Sequence, residues 1–119
     1  NELARVYLEN LSDVSQVSMP AAPENKKHVW QTFHIVLDDE VDRDAIIKKM
    51  KKNGVGTNYG AQCIPFQTFY REKYNFDCER EFPNALRAFR QGLALPLFEK
   101  LSADDVRFII KTLNNLLNN

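Results

Sequence analysis

The run His28-Val29-Trp30-Gln31-Thr32-Phe33-His34-Ile35-Val36-Leu37 decides the fold class. Its side chains alternate, with Val29, Phe33, Ile35 and Leu37 on one face and Trp30, Thr32, His34 and Val36 on the other. A strand that is apolar on both faces is a central strand covered from both sides. Gln31 interrupts the apolar face, which places it near a sheet end or near a site.

Downstream of this strand, Asp38, Asp39 and Glu40 form a solvated turn. Asp42 is positioned to cap a helix reaching about Asn53, with a buried stripe of Ile46, Ile47 and Met50 and with Gly54 as its C′ residue. Lys48, Lys49, Lys51 and Lys52 occupy its last two turns, as a wet face near the negative end of the helix dipole or, in a sharper reading, as a phosphate patch. From Gly54 to Tyr70 regular structure gives way. Three glycines fall in seven residues, among the uncharged hydrogen-bonding side chains of Asn58, Tyr59, Gln62 and Gln67. That mixture suits either a wall against a polar ligand or a Gly-rich turn leading into a strand, and a strand is expected in this segment.

Phe66, Phe69 and Tyr70 then mark one or two helical turns to Tyr74, Asn75 to Glu81 reads as a polar loop, and Phe82-Pro83-Asn84 opens a helix with Leu86 and Phe89 inward. Gly92 closes it. Leu93 to Leu97 is a short strand whose Pro96 must avoid a ladder hydrogen bond. Ser102 and Asp105 form a capping-box pattern, followed at helical spacing by Val106, Ile109, Ile110, Leu113, Leu116 and Leu117, a stripe expected to pack on the sheet. Upstream, Leu3, Ala4, Tyr7, Leu8 and Leu11 define a helix over Asn1 to Leu11 that opens without a cap and reads as cut from a longer one. Val14 to Val17 is a possible short strand, and Met19 to Lys27 is a connection. Mixed runs of this kind predict an α+β architecture, a small and largely antiparallel sheet with helices packed on it.

The 119 residues fit one domain, 44% hydrophobic and 27% charged, too apolar for disorder. Sixteen basic residues balance sixteen acidic ones, so no global field favours nucleic acid or an anionic membrane. No apolar run is long enough to span a bilayer, and the cytosol is the default location. Cys63 and Cys78 lack CxxC spacing and are expected as free thiols; with His28 and His34 they make only a notional metal set.

Several motifs in this order resemble the C-terminal small domain of the DegT/DnrJ/StrS group of PLP-dependent sugar aminotransferases, of fold type I. They are the strand from His28 to Phe33, Arg43-Asp44 opening a helix that ends in Gly54-Val55-Gly56-Thr57, Gln67 to Tyr70, Phe82 to Ala85, and Leu93 to Leu97 followed by Leu101-Ser102 and the last helix. The resemblance implies an enzyme that moves an amino group from glutamate onto a nucleotide-linked keto-deoxysugar, working as a homodimer with pyridoxal phosphate. It also implies that the catalytic lysine and the cofactor site belong to a large N-terminal domain outside this chain, leaving the chain itself inactive, while the small domain packs on its own large domain and lines the substrate mouth.

In that family a His-Tyr or His-Pro pair and a further His commonly follow the Gly-x-Gly-Thr. Here Asn58-Tyr59-Gly60-Ala61-Gln62 and then Ile64-Pro65 stand instead. The resemblance therefore places Asn58, Tyr59 and Gln62 as neutral substrate contacts, with Trp30 able to pack on a base or sugar. The alternative is a free-standing α+β ligand-binding or regulatory module, which should begin with a capped helix. Gly54-Val55-Gly56 follows a helix rather than a strand, so it is no dinucleotide motif.

Overall fold

A computed structural model describes residues 1–118. The elements run α1 (Glu2–Leu11), β1 (Val17–Ser18), β2 (Phe33–Leu37), α2 (Arg43–Lys52), a 3-10 turn (Ile64–Phe66), α3 (Thr68–Tyr74), α4 (Cys78–Glu81), α5 (Pro83–Gln91), β3 (Gly92–Leu95) and α6 (Ala103–Leu117). The three strands form one antiparallel sheet in the order β1-β2-β3, with Val17 opposite Leu37 and Phe33 opposite Leu95. This is the α+β architecture that the patterning predicts.

The core lies where α1, α2 and α6 meet the sheet. Ala4, Tyr7 and Leu11 of α1, Ile46 and Met50 of α2, and Val106, Ile109, Ile110 and Leu113 of α6 join Phe33, Ile35, Leu37, Leu93 and Leu95 in one buried cluster. Burying a side chain of this size stabilises the fold by about 1.5–3 kcal/mol. Tyr7 is fully buried, donates its hydroxyl to the Pro96 carbonyl at 2.8 Å and stacks on Phe33 at 4.5 Å. Burial pushes its phenol well above the ordinary range.

Helix starts follow their caps. Asp42 accepts from the Ala45 N–H at 2.9 Å, and Gly54 ends α2 at φ +80°. In α6, Ser102 Oγ accepts from the Asp105 N–H while Asp105 accepts from the Ser102 N–H, the reciprocal capping box. The Ser102 hydroxyl, then its backbone N–H, hold the Asp105 carboxyl below its usual range. A second, smaller cluster joins Cys63, Cys78 and Leu86 to Phe66, Phe76, Phe82 and Phe89. Both cysteines are free, and burial raises the Cys78 thiol above its ordinary value. Among the described residues no helix is long and apolar enough to cross a membrane.

Six expectations need correction. The central strand begins at Phe33, not His28, because β3 ends at Leu95 and the next residue, Pro96, has no N–H to extend the ladder. The side-chain alternation fails with it: Val29 is 82% exposed, whereas Trp30 packs on the core. Coverage of β2 is unequal, with Phe33, Ile35 and Leu37 buried and His34 and Val36 half-buried. The first strand is Val17–Ser18 rather than Val14 to Val17, and the segment after Gly56 is no strand but makes a single bridge, Asn58 to Ala94. Asn75 to Glu81 is not all loop: Asp77 caps the short α4 through the Arg80 N–H, and Glu81 returns a carboxylate to the Asp77 N–H at 2.8 Å.

Candidate functional site

The segment after α2 is shaped by hydrogen bonds and close contacts, not by a strand ladder. Val55 is buried in the core and anchors its start. The Asn58 carbonyl accepts from the Ala94 N–H at 2.8 Å, tying the segment to the free edge of β3. Asn58 Oδ1 accepts from the Gly60 N–H, also at 2.8 Å, so the side chain closes a turn on its own backbone and Gly60 takes φ +70°. That turn explains why no second strand residue follows Asn58.

Two residues from other elements fix Tyr59 behind this turn. His34 of β2 hydrogen-bonds the Tyr59 carbonyl through Nε2 at 3.1 Å. Its ring lies in a slot between Gly60 and Gly92, where an added Cβ would stand 2.4 Å and 2.3 Å from ring atoms. At Gly60 the added atom would collide first with the imidazole, and at Gly92 first with the Ala88 carbonyl oxygen and then with the imidazole, so glycine is required at both positions. Arg43, only 9% exposed, opens α2 and places its guanidinium 4.2 Å from the centre of the Tyr59 ring. Its Nη1 donates at 3.0 Å to the carbonyls of Phe89 and Gly92, and its Nε donates at 2.7 Å to Asp44. The buried charge thus joins α2, the end of α5 and the start of β3.

Under the turn is an open cavity of about 450 Å³, lined by Gln31 and Thr32 before β2, by Gly56, Thr57 and Asn58, and by the stretch from Ala94 to Leu97. Its side chains are neutral. The Thr57 hydroxyl oxygen is itself buried without a hydrogen-bond partner, which costs about 1–3 kcal/mol.

Of the four residues singled out from the sequence, Asn58 lines this cavity and Tyr59 stands beside it on Arg43. Gln62 is exposed further along and accepts from Gln67 Nε2 at 3.3 Å. Trp30 lines a second, more apolar groove of about 830 Å³ with Leu3, Val6, Val29, Phe98 and Leu101. Its backbone is left-handed, φ +51°, an uncommon state for a bulky residue. It is held there by donation of its N–H to His28 Nδ1 at 2.9 Å and by stacking on the His28 ring at 4.0 Å.

Sequence reasoning missed the structural parts played by His34 and Arg43. The signals present were a polar residue at a core-adjacent strand position and an arginine directly after a helix cap. Neither identifies its distant partners: the Tyr59 carbonyl lies 25 residues from His34, and the carbonyls of Phe89 and Gly92 lie 46 and 49 residues from Arg43.

A family model described as the DegT/DnrJ/EryC1/StrS aminotransferase family matches residues 1–114. The spore coat polysaccharide biosynthesis protein SpsC of Bacillus subtilis (strain 168) is 23% identical over 120 residues, covering 98% of this chain and 31% of SpsC. Among solved structures, the aminotransferase TlmJ of Streptoalloteichus hindustanus superposes with a TM-score of 0.81 at 27% identity, covering 98% of this chain and 30% of TlmJ. Spr1654 of Streptococcus pneumoniae, in its PMP-form, gives a TM-score of 0.86 at 23% identity, covering 98% of this chain and 29% of that one, and it shares the fold. The chain therefore spans about a third of the length of its curated relative.

Proposed function

Because the chain belongs to the DegT/DnrJ/EryC1/StrS aminotransferase family, we propose that it is the C-terminal small domain of a PLP-dependent enzyme transferring an amino group from glutamate to a nucleotide-linked keto-deoxysugar. The observation that carries this reading is the disparity of coverage: the family model accounts for residues 1–114, while the chain covers 31% of SpsC and 30% of TlmJ. A PLP-form of Spr1654 supports the cofactor for the full-length protein.

The cofactor does not fit around this chain's own residues. All nine lysines are exposed, whereas a lysine that reacts with a carbonyl needs a desolvated site or a cationic neighbour. Pyridoxal phosphate, bound by the remainder of the full-length protein, supplies the electron sink for the transfer. This chain supplies orientation. Asn58, Tyr59 and Gln62 form its side of the substrate mouth, and Trp30, one residue from the cavity wall at Gln31, meets the outer end of the ligand. The apolar groove beside Trp30 faces the enzyme's own large domain, and the working unit is a homodimer.

The protein encoded by the complete reading frame, supplied with pyridoxal phosphate, glutamate and a nucleotide-linked keto-deoxysugar, should release 2-oxoglutarate in step with the aminated sugar. The present chain alone should retain no pyridoxal phosphate after gel filtration. A reading frame without a cofactor-binding segment, or a complete protein that holds the cofactor and turns over no such sugar, would sink the proposal.

A further inference from the structure

Cys63 and Cys78 take no part in the site described above, yet they are not two scattered core thiols. They bracket the excursion of residues 64–77, which follows the Gly60 turn, runs through the 3-10 turn and α3, and turns back at the left-handed Asn75, φ +54°. No residue between the two cysteines is buried, and α3 buries none of its side chains. Cys63 is fully enclosed and Cys78 is 6% exposed, and together with Leu86 they are the buried members of the second cluster.

The excursion is therefore held at its two ends and weakly elsewhere. Phe66 and Phe76 rest half-buried on the second cluster, which is separate from the core formed by α1, α2, α6 and the sheet. Just beyond the far end, Glu79 pairs with Arg90 at 2.7 Å, but these side chains are 69% and 49% exposed, so solvent screens the pair. A segment with few buried contacts opens locally while the rest of the fold stays closed. The two thiols sit where that opening starts. They pack in one cluster, and the Cys63 thiol is near enough to act on Cys78, whose thiol is raised first by burial and next by this neighbour.

We propose that Cys63 and Cys78 are a redox-active pair, which glutathione disulfide oxidises to a bridge that latches the excursion of residues 64–77 at its base. Cys78, the one with exposed surface, reacts first: its thiolate attacks one sulfur of glutathione disulfide, forming a mixed disulfide and expelling one glutathione thiolate. The Cys63 thiolate then attacks the Cys78 sulfur, forming the bridge and expelling the second. The two cysteines give up two electrons and two protons, and glutathione disulfide takes up both as it becomes two molecules of glutathione. The bridge closes a short loop and removes opened conformations, so the oxidised form holds Cys63, and with it Gln62 beside the Gly60 turn, more rigidly. The latch is independent of the aminotransferase reading.

The test equilibrates the protein from the complete reading frame in glutathione buffers, reduced or oxidised, blocks free thiols with N-ethylmaleimide and digests with trypsin. The oxidised sample should yield one linked pair of peptides, that ending at Arg71 with Cys63 and that ending at Arg80 with Cys78, and dithiothreitol should separate them. Brief trypsin treatment of the native protein should cut the reduced form after Arg71 and Lys73. The oxidised form should be cut there about tenfold or more slowly, because cleavage tracks the population of the opened segment. Cys63→Ala, lacking the second thiol, should stop at a glutathione adduct on Cys78 and show no such slowing. The unmodified protein decides the matter even where that variant folds poorly. Absence of the linked pair in the oxidised buffer would overturn the latch. So would a linked pair whose cleavage is no slower, or a reduced form that resists trypsin at both bonds, and each of these results leaves the family reading untouched.

Discussion

Replacing Arg43 by Met tests whether one buried guanidinium holds the turn, α5 and β3 in register. Methionine fills much of the aliphatic volume but donates nothing. The Gly92 carbonyl, reached by a buried hydrogen bond at 3.0 Å, is left unmet at about 1–3 kcal/mol, and the Phe89 carbonyl, in a partly buried bond, loses somewhat less. The contact with Tyr59, a residue 43% exposed, adds about 0.5–1 kcal/mol. The ion pair with Asp44 adds little, because that carboxylate is 60% exposed and screened by solvent. Against these losses, the variant no longer desolvates a charge. The net expectation is a loss of about 2–4 kcal/mol in urea melts with an unchanged m-value, whereas Asp44→Ala should cost under about 1 kcal/mol. A loss below about 1 kcal/mol for Arg43→Met would show that the two carbonyls find other partners and that the guanidinium is not what joins these elements.

Ile109→Ala should cost about 2–5 kcal/mol, since Ile109 sits in the main cluster; a denaturant midpoint that barely moves would remove α6 from the core. Tyr7→Phe should cost about 1 kcal/mol by deleting the bond to Pro96. Because burial raises the folded phenol above its unfolded value of about 10, that group's contribution is full below pH 10 and is lost as pH rises towards the folded value. Melting temperatures followed into alkali should therefore fall less steeply for the Phe variant, and parallel curves would contradict the assignment. Thr57→Val replaces an unpartnered buried hydroxyl with a methyl group of similar size and should raise stability by about 1 kcal/mol; a clear loss would mean that the hydroxyl is hydrogen-bonded in solution.

The parts of the fold that were legible in the sequence are those whose signal is local. The Ser102 and Asp105 box, the Asp42 cap and Gly54 each involve groups within a few residues of one another, and each appears where the spacing places it. The start of β2 was not legible because it depends on Pro96, more than sixty residues later, whose missing N–H ends the ladder. The alternation before Phe33 misled for the same reason: without a paired strand, Val29 and Trp30 have no sheet faces to occupy, and the His28 ring sets the backbone at Trp30 instead. In α4 the cap was present in the sequence, but Asp77 and Glu81 lie among polar residues that read equally well as a loop.

The irregular segment after α2 was legible in the sequence, but what supports it was not. Glycines among neutral amides marked residues 54–62, and Asn58 does line a cavity, yet nothing local distinguishes Gly60, which must admit a histidine ring, from Gly56, which has open space around it. The difference arises because antiparallel pairing sets Val36 opposite Gly92 and His34 opposite Ala94, and Ala94 in turn bridges to Asn58. That register brings the imidazole between two glycines from separate segments. A one-residue slip of β3 against β2 would turn Gly92 away from the ring and put a side chain in its place. The shape of the turn is therefore a consequence of sheet register, and a substitution that shifts the register should disturb the Asn58 cavity even when it touches none of the cavity's own residues.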